Sequence, residues 1–165
     1  MCIRDRYCNA LAGADASVTL KWAFKNIAQK HDLHATFMPK PISGINGSGM
    51  HVHQSLFTNE GKNMMFDKKG TYSLSNFAQQ FIAGQLHHIQ ALNAIINPTV
   101  NSYKRLVVGY EAPVNVAWGQ KNRSVLIRVP RYTPGREKAV RVEIRCPDPA
   151  AVSYTHLTLP TSDLV

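Results

Sequence analysis

The residues best equipped for chemistry lie in the stretch Asn46-Gly47-Ser48-Gly49-Met50-His51-Val52-His53-Gln54-Ser55-Leu56-Phe57. Its glycine-rich start lets the backbone approach a ligand closely. From Met50 onward the pattern alternates as on a strand. Met50, Val52 and Leu56 share one face; His51, His53 and Ser55 share the other. Two imidazoles and a hydroxyl beside free backbone N–H groups suit a divalent metal held next to a phosphate or carboxylate. A His-x-His pair in a strand is more often ordinary and half-buried than a ligand pair, so neighbouring chemistry has to decide.

That chemistry recurs near the other end. In Val140–Cys146 one strand face is Val140, Val142, Ile144 and Cys146, and the other is Arg141, Glu143 and Arg145. The polar face reads as a surface ion-pair ladder, the commoner case, or as a metal-ligating glutamate beside arginines that clamp phosphates and carboxylates. Arg128 interrupts the apolar run Ser124–Val129 and needs an anionic partner or must snorkel. Glu111 falls in a long polar segment, Asn97 to Pro113, of the kind that often carries function; a solvated loop glutamate is the plain alternative.

The elements that must position these groups follow from periodicity. Asp15 or Ser17 is expected to cap a helix running to about Lys30, with Leu20, Ala23, Phe24, Ile27 and Ala28 on its packing face. Leu33–Met38 reads as a short strand stopped by Pro39-Lys40-Pro41, and Thr58–Gly70 as a polar hairpin or surface loop. A second helix is expected from Ser73 or Ser75 to just before Pro98. It would bury Leu74, Phe77, Phe81, Leu86, Ile89, Leu92 and Ile96 and leave His87 and His88 structural or exposed. Strands at Val114–Trp118, Ser124–Val129 and Val140–Cys146 complete an α+β pattern.

Composition sets the frame. A chain of 165 residues with 44% hydrophobic and 18% charged residues predicts one globular domain. No apolar run reaches the ~18 residues a spanning helix needs. Cys2, Cys8 and Cys146 make no Cys-x-x-Cys pair and no even framework, which favours a reducing, cytoplasmic setting. The net charge of +9 fits a nucleic-acid footprint, but its cations are dispersed singly and no nucleic-acid signature appears. Arginines converging on an anionic small substrate, such as a nucleotide or dicarboxylate, are the favoured source of the excess. No repeat or low-complexity segment is evident.

Several motifs, taken in order, resemble the bacterial-type glutamine synthetase family. They are Phe37-Met38-Pro39-Lys40-Pro41, Asn46-Gly47-Ser48-Gly49-Met50-His51, Asn101-Ser102-Tyr103-Lys104-Arg105-Leu106, Gly109-Tyr110-Glu111-Ala112-Pro113, Asn122-Arg123-Ser124 and Arg145-Cys146-Pro147-Asp148-Pro149. Each is weak alone. The resemblance implies a curved antiparallel sheet with flanking helices, here incomplete, and ATP-dependent ligation of ammonia to glutamate through a γ-glutamyl phosphate with Mg²⁺ or Mn²⁺. By that resemblance His51 and Glu143 are metal ligands. His53, Ser55, Arg128 and Arg141 contact ATP, and Arg123 with Arg128 stabilises its phosphates. Asn46, Gly47, Arg105 and Arg145 hold glutamate, while Glu111 closes the site and helps to form the ammonium pocket. It also implies a ring-shaped homo-oligomer with sites between subunits, and neither nucleic-acid nor membrane partners.

The family's further metal-binding glutamates have no counterpart, because the chain's glutamates are Glu60, Glu111, Glu137 and Glu143. Residues 9–151 are therefore read as a partial catalytic domain, expected not to make glutamine alone. Residues 1–8 and 152–165 resemble translated adapter sequence. Three other readings remain open: a γ-glutamyl–amine or polyamine ligase of the same family, a His51-x-His53 metal hydrolase, and a non-catalytic basic binding module.

Overall fold

Four strands make the sheet that carries the chemistry: β1 (Val52–Gln54), β2 (Asn115–Gln120), β3 (Val125–Val129) and β4 (Val142–Ile144), in the order β1-β4-β3-β2. The structure is a computed structural model describing residues 8–151. The terminal stretches read as foreign lie outside the described residues except for Cys8, as do Cys2 and His156.

Pairing splits the sheet into two transverse rows. Val52, Ile144, Ile127 and Trp118 are successive cross-strand partners and face the core. In the next row stand His53, Glu143, Arg128 and Gly119. Side chains alternate between faces along each strand, so the polar row points away from the core.

The pairings of β4 are antiparallel, as expected, but β2 runs parallel to β3, which makes the sheet mixed at one edge. A parallel pair ordinarily needs a crossover of a dozen or more residues. Here Val125 lies opposite Asn115, so residues 121–124 retrace the length of β2. The reversal starts at Lys121, whose φ is +62°. Alternation in sequence carries no information on strand direction.

Helix α1 (Ala10–Gln29) begins earlier than Asp15, because Asn9 caps it by accepting from the Ala12 amide. Of its residues only Ala14 is fully buried, and Phe24 and Ile27 on the expected packing face are half-exposed. Residues 33–38 form no strand; they pass beside α1, where Phe37 meets Phe24 edge-on at 6.4 Å. A β-prone stretch stays out of a sheet when no partner edge is offered.

Helix α2 (Asn76–Ile96) is capped by Ser75 and ends before Pro98, as its pattern predicts. It buries Ala78, Ile82, Ile89 and Ile96, with Phe81, Leu86 and Leu92 packed partly against the same cluster. Phe77 falls at the margin of this stripe, and His87 and His88 are exposed. The segment expected to be irregular contains a short helix, α3 (Val100–Arg105), held by a reciprocal capping box between Thr99 and Ser102. Serine in place of the usual Glu or Gln hid that signal. Among the described residues no helix is long and apolar enough to cross a membrane.

The Thr58–Gly70 connection is more than a surface loop. Met65 is fully buried, and Asn63 donates to the carbonyls of Glu137 (3.0 Å) and Val140 (2.8 Å) while accepting from the Met65 amide (2.9 Å). Replacing Asn63 by alanine removes all three bonds and orphans the buried Val140 carbonyl and Met65 amide. Asn63→Ala should lower stability by about 2–3 kcal/mol, read as a reduced urea midpoint at unchanged slope; a shift within ~0.5 kcal/mol would show the connection to be dispensable.

Candidate functional site

Glu143 is 1% exposed, yet four cationic or imidazole groups converge on it. Arg128 Nε donates to Oε2 at 2.5 Å, and His51 Nδ1 lies 3.0 Å from Oε1. His53 Nε2 and Arg145 Nε approach Oε1 at 3.9 Å. Strand register brings His53 and Arg128 to either side of Glu143, and His51 joins them from just before β1. The polar face of Val140–Cys146 is therefore a buried hub, not a surface ladder, and Arg128 has its anionic partner.

Burial pushes the Glu143 carboxyl up, but the bonds from His51 and Arg128 outweigh it and hold the group at about 2. His53 is held below its ordinary value, first by burial and then by Arg141 and Arg128, against the pull of Glu143. Arg141 Nε donates to His53 Nδ1 at 3.1 Å, so the imidazole proton belongs on Nε2, toward Glu143. His51 turns Nδ1 toward Glu143, which leaves Nε2 beside Gly49.

Arg145, 2% exposed, donates from Nη2 to the Glu111 carbonyl at 3.2 Å, but its Nε and Nη1 have no hydrogen-bond partner among the described residues. Arg105, 4% exposed, donates from Nη1 to the Cys146 carbonyl (2.8 Å) and from Nη2 to the Arg145 carbonyl (3.0 Å). It thus fastens the exit of β4 beneath the glycine turn. A Cβ at Gly49 would sit 2.7 Å from Arg105 Nη2, and one at Gly47 would sit 2.1 Å from the Pro39 carbonyl oxygen, so both glycines are there for close approach. Across the opening, exposed Glu111 pairs with Arg123 at 2.8 Å.

These groups share one cleft of about 1010 Å³. Of the anticipated residues it is lined by Asn46, Gly47, His51, His53, Arg105, Glu111, Arg123, Arg128, Glu143 and Arg145. Ser55 and Arg141 are not on its wall; Arg141 reaches the site only through His53. Sequence reasoning missed Lys21 and Tyr110, which also line it. Lys21 donates to the Pro149 carbonyl at 2.6 Å, tying α1 to the segment after β4, and a lysine on a helix face carries no sign of such a role. It also missed Lys40, which packs on Tyr110.

Among the described residues no three His, Cys, Asp or Glu side chains form a group able to hold a metal ion. His51 Nε2 and the Glu143 carboxylate are suitable donors for a divalent cation, with Glu143 also orienting His51. They fit as part of a coordination sphere; a hard cation needs further oxygen ligands.

The depressed Glu143 value has a direct consequence. Because it lies below the ordinary 4.5, this carboxylate stabilises the fold above pH 4.5 and loses that contribution as pH falls toward about 2. The loss should be on the order of 3 kcal/mol, read from urea midpoints in chelator between those pH values. Glu143→Gln should flatten that stretch of the curve; parallel curves for the two proteins would contradict the assignment.

The pattern of the family described as "Glutamine synthetase, catalytic domain" matches residues 1–159. A glutamine synthetase of Methanocaldococcus jannaschii is 56% identical over 150 residues, covering 90% of this chain and 32% of the relative. One of Thermus thermophilus is 51% identical over 154 residues, covering 93% and 34%. A cryo-electron-microscopy structure of Plasmodium falciparum glutamine synthetase superposes with a TM-score of 0.86 at 34% identity, over 93% of this chain and 29% of that one. The chain spans about a third of the length of the curated relatives it matches. With the motifs in order, a shared fold and high identity across most of its length, this chain belongs to the glutamine synthetase catalytic-domain family.

Proposed function

We propose that the whole protein of which this chain forms a part ligates ammonia to glutamate with ATP, through a γ-glutamyl phosphate, and that this chain supplies the cationic wall of the site. The observation carrying this reading is Arg145 on the wall of the cleft, a guanidinium 2% exposed whose Nε and Nη1 lack hydrogen-bond partners among the described residues. Burying such donors unsatisfied is costly, and carboxylate or phosphate oxygens are the acceptors that best satisfy a guanidinium. Arg105, Arg123 and Arg128 on the same wall extend the field to several anionic groups at once.

In this reading His51 and Glu143 hold a divalent metal, Mg²⁺ or Mn²⁺, which when bound neutralises phosphate charge. Glutamate lies along Asn46 and Gly47, with its α-carboxylate on Arg145. Arg105 keeps Arg145 and the glycine turn in place and offers its remaining N–H groups. Arg123 and Arg128 face the transferring phosphate, while His53, fixed by Arg141, and Ser55 flank the nucleotide. Glu111 swings from Arg123 over the cleft, keeping water from the acyl phosphate and drawing in the ammonium. A cytoplasmic ring-shaped homo-oligomer is the setting this activity implies.

Calorimetry of ATP with this chain in Mn²⁺, and again in chelator, tests the reading. Weak metal-dependent binding is expected, and His51→Ala with Glu143→Ala together should weaken it at least about tenfold. Binding of equal strength without metal, or unchanged in the double variant, would overturn the assignment of the two ligands.

A further inference from the structure

Lys40 is 9% exposed and contacts three separate segments: Asn101 in α3, Ile45 at the start of the glycine turn, and Tyr110 in the Glu111 loop. Its backbone is clasped by Asn101 of α3: the Lys40 amide donates to Asn101 Oδ1 at 2.7 Å, and Asn101 Nδ2 donates to the Lys40 carbonyl at 2.9 Å. Its side chain then runs toward the mouth of the site. There Nζ donates to the Ile45 carbonyl, at the start of the glycine turn, and lies 3.5 Å from the centroid of the Tyr110 ring. Tyr110 precedes Glu111 and itself lines the cleft.

The two segments joined in this way are those that carry Asn46 and Glu111. Other contacts hold each of them separately. The Ser48 amide donates to the Pro39 carbonyl at 2.8 Å on one side, and Arg145 holds the Glu111 carbonyl on the other. Lys40 is a single side chain that grips both. A cation over an aromatic face attracts it without fixing an angle, so the ring can slide while contact persists. Its ammonium also has donors to spare for the turn. A rigid root on α3 with a compliant tip suits a hinge between two lips.

We propose that Lys40 is a positioning residue that couples the glycine turn (residues 42–49) to the Glu111 loop (residues 106–113), so that the two lips of the cleft order and move together. This rests on the reading of Glu111 as the residue that closes the site, but it concerns the coupling alone.

The test is backbone ¹⁵N relaxation of the 165-residue chain without ligand, on wild type, Lys40→Met, Lys40→Arg, Tyr110→Leu and the Lys40→Met/Tyr110→Leu double variant. In wild type both lips should show order parameters near the rigid range of about 0.85, and the Lys40 ε-methylene protons should be shifted upfield by the Tyr110 ring. Lys40→Met should lower order in both segments toward about 0.6, and Tyr110→Leu should do so in the turn as well as in its own loop. The double variant should be no looser than the looser single one, and Lys40→Arg should restore order to both lips. Loosening confined to the turn in Lys40→Met, loosening confined to the loop in Tyr110→Leu, or additive effects would each overturn the coupling. If Lys40→Met does not fold, Tyr110→Leu decides alone by whether residues 42–49 respond. Because no nucleotide is present, failure of ATP binding bears on the functional reading and leaves this result independent.

Discussion

The buried carboxylate of Glu143 is the constraint on which the site depends. A charge placed at the centre of a sheet, 1% exposed, survives only with a countercharge and hydrogen-bond donors of good geometry. Here the partners come from neighbouring strands and from the residue before one of them: Arg128 from β3, His53 from β1 and His51 beside it. Removing any of them leaves the carboxylate short of a donor or a countercharge in a low-dielectric place. The ion cluster therefore fixes the face and the register on which the two histidines stand, and a slip of one residue would send them into the apolar row.

The cluster is also unfinished in a way that points outward. Arg145 is brought to within 3.9 Å of Glu143 without hydrogen bonding to it, and two of its nitrogens find no partner among the described residues. Arg105 holds the backbone on which Arg145 rides, and the glycines of the turn make room for Arg105. Stability and recognition thus share the same groups. The guanidiniums that order the turn and the exit of β4 also make the cleft a place where anionic groups are favoured.

Burial of Cys146 beside this cluster illustrates the reverse case. The apolar surroundings push its thiol up to about 12, with the cation of Arg105 only partly opposing, so it packs as a small hydrophobe. The core side of Val140–Cys146 is apolar and the opposite side is charged, although the residues alternate along a single stretch of chain.

How much of this was legible in the sequence depended on range. Alternation in Val140–Cys146 separated Glu143 and Arg145 from Val142 and Ile144 correctly, because a strand's two faces follow from local geometry alone. Period and capping likewise gave α2 its span and narrowed its start to Ser73 or Ser75, of which Ser75 is the cap. Of the twelve residues that the resemblance named for the site, ten line the cleft and Ser55 and Arg141 do not. What tertiary structure alone decided was anything needing a distant partner. The parallel pairing of β2 with β3, the failure of 33–38 to join the sheet, the early start of α1 and the burial of Met65 and Asn63 depend on which neighbours exist in space. The same holds for Lys40 over Tyr110, seventy positions apart in sequence. Local propensity records what each residue prefers, but a contact is settled only when the folded chain brings its partner within a few ångströms.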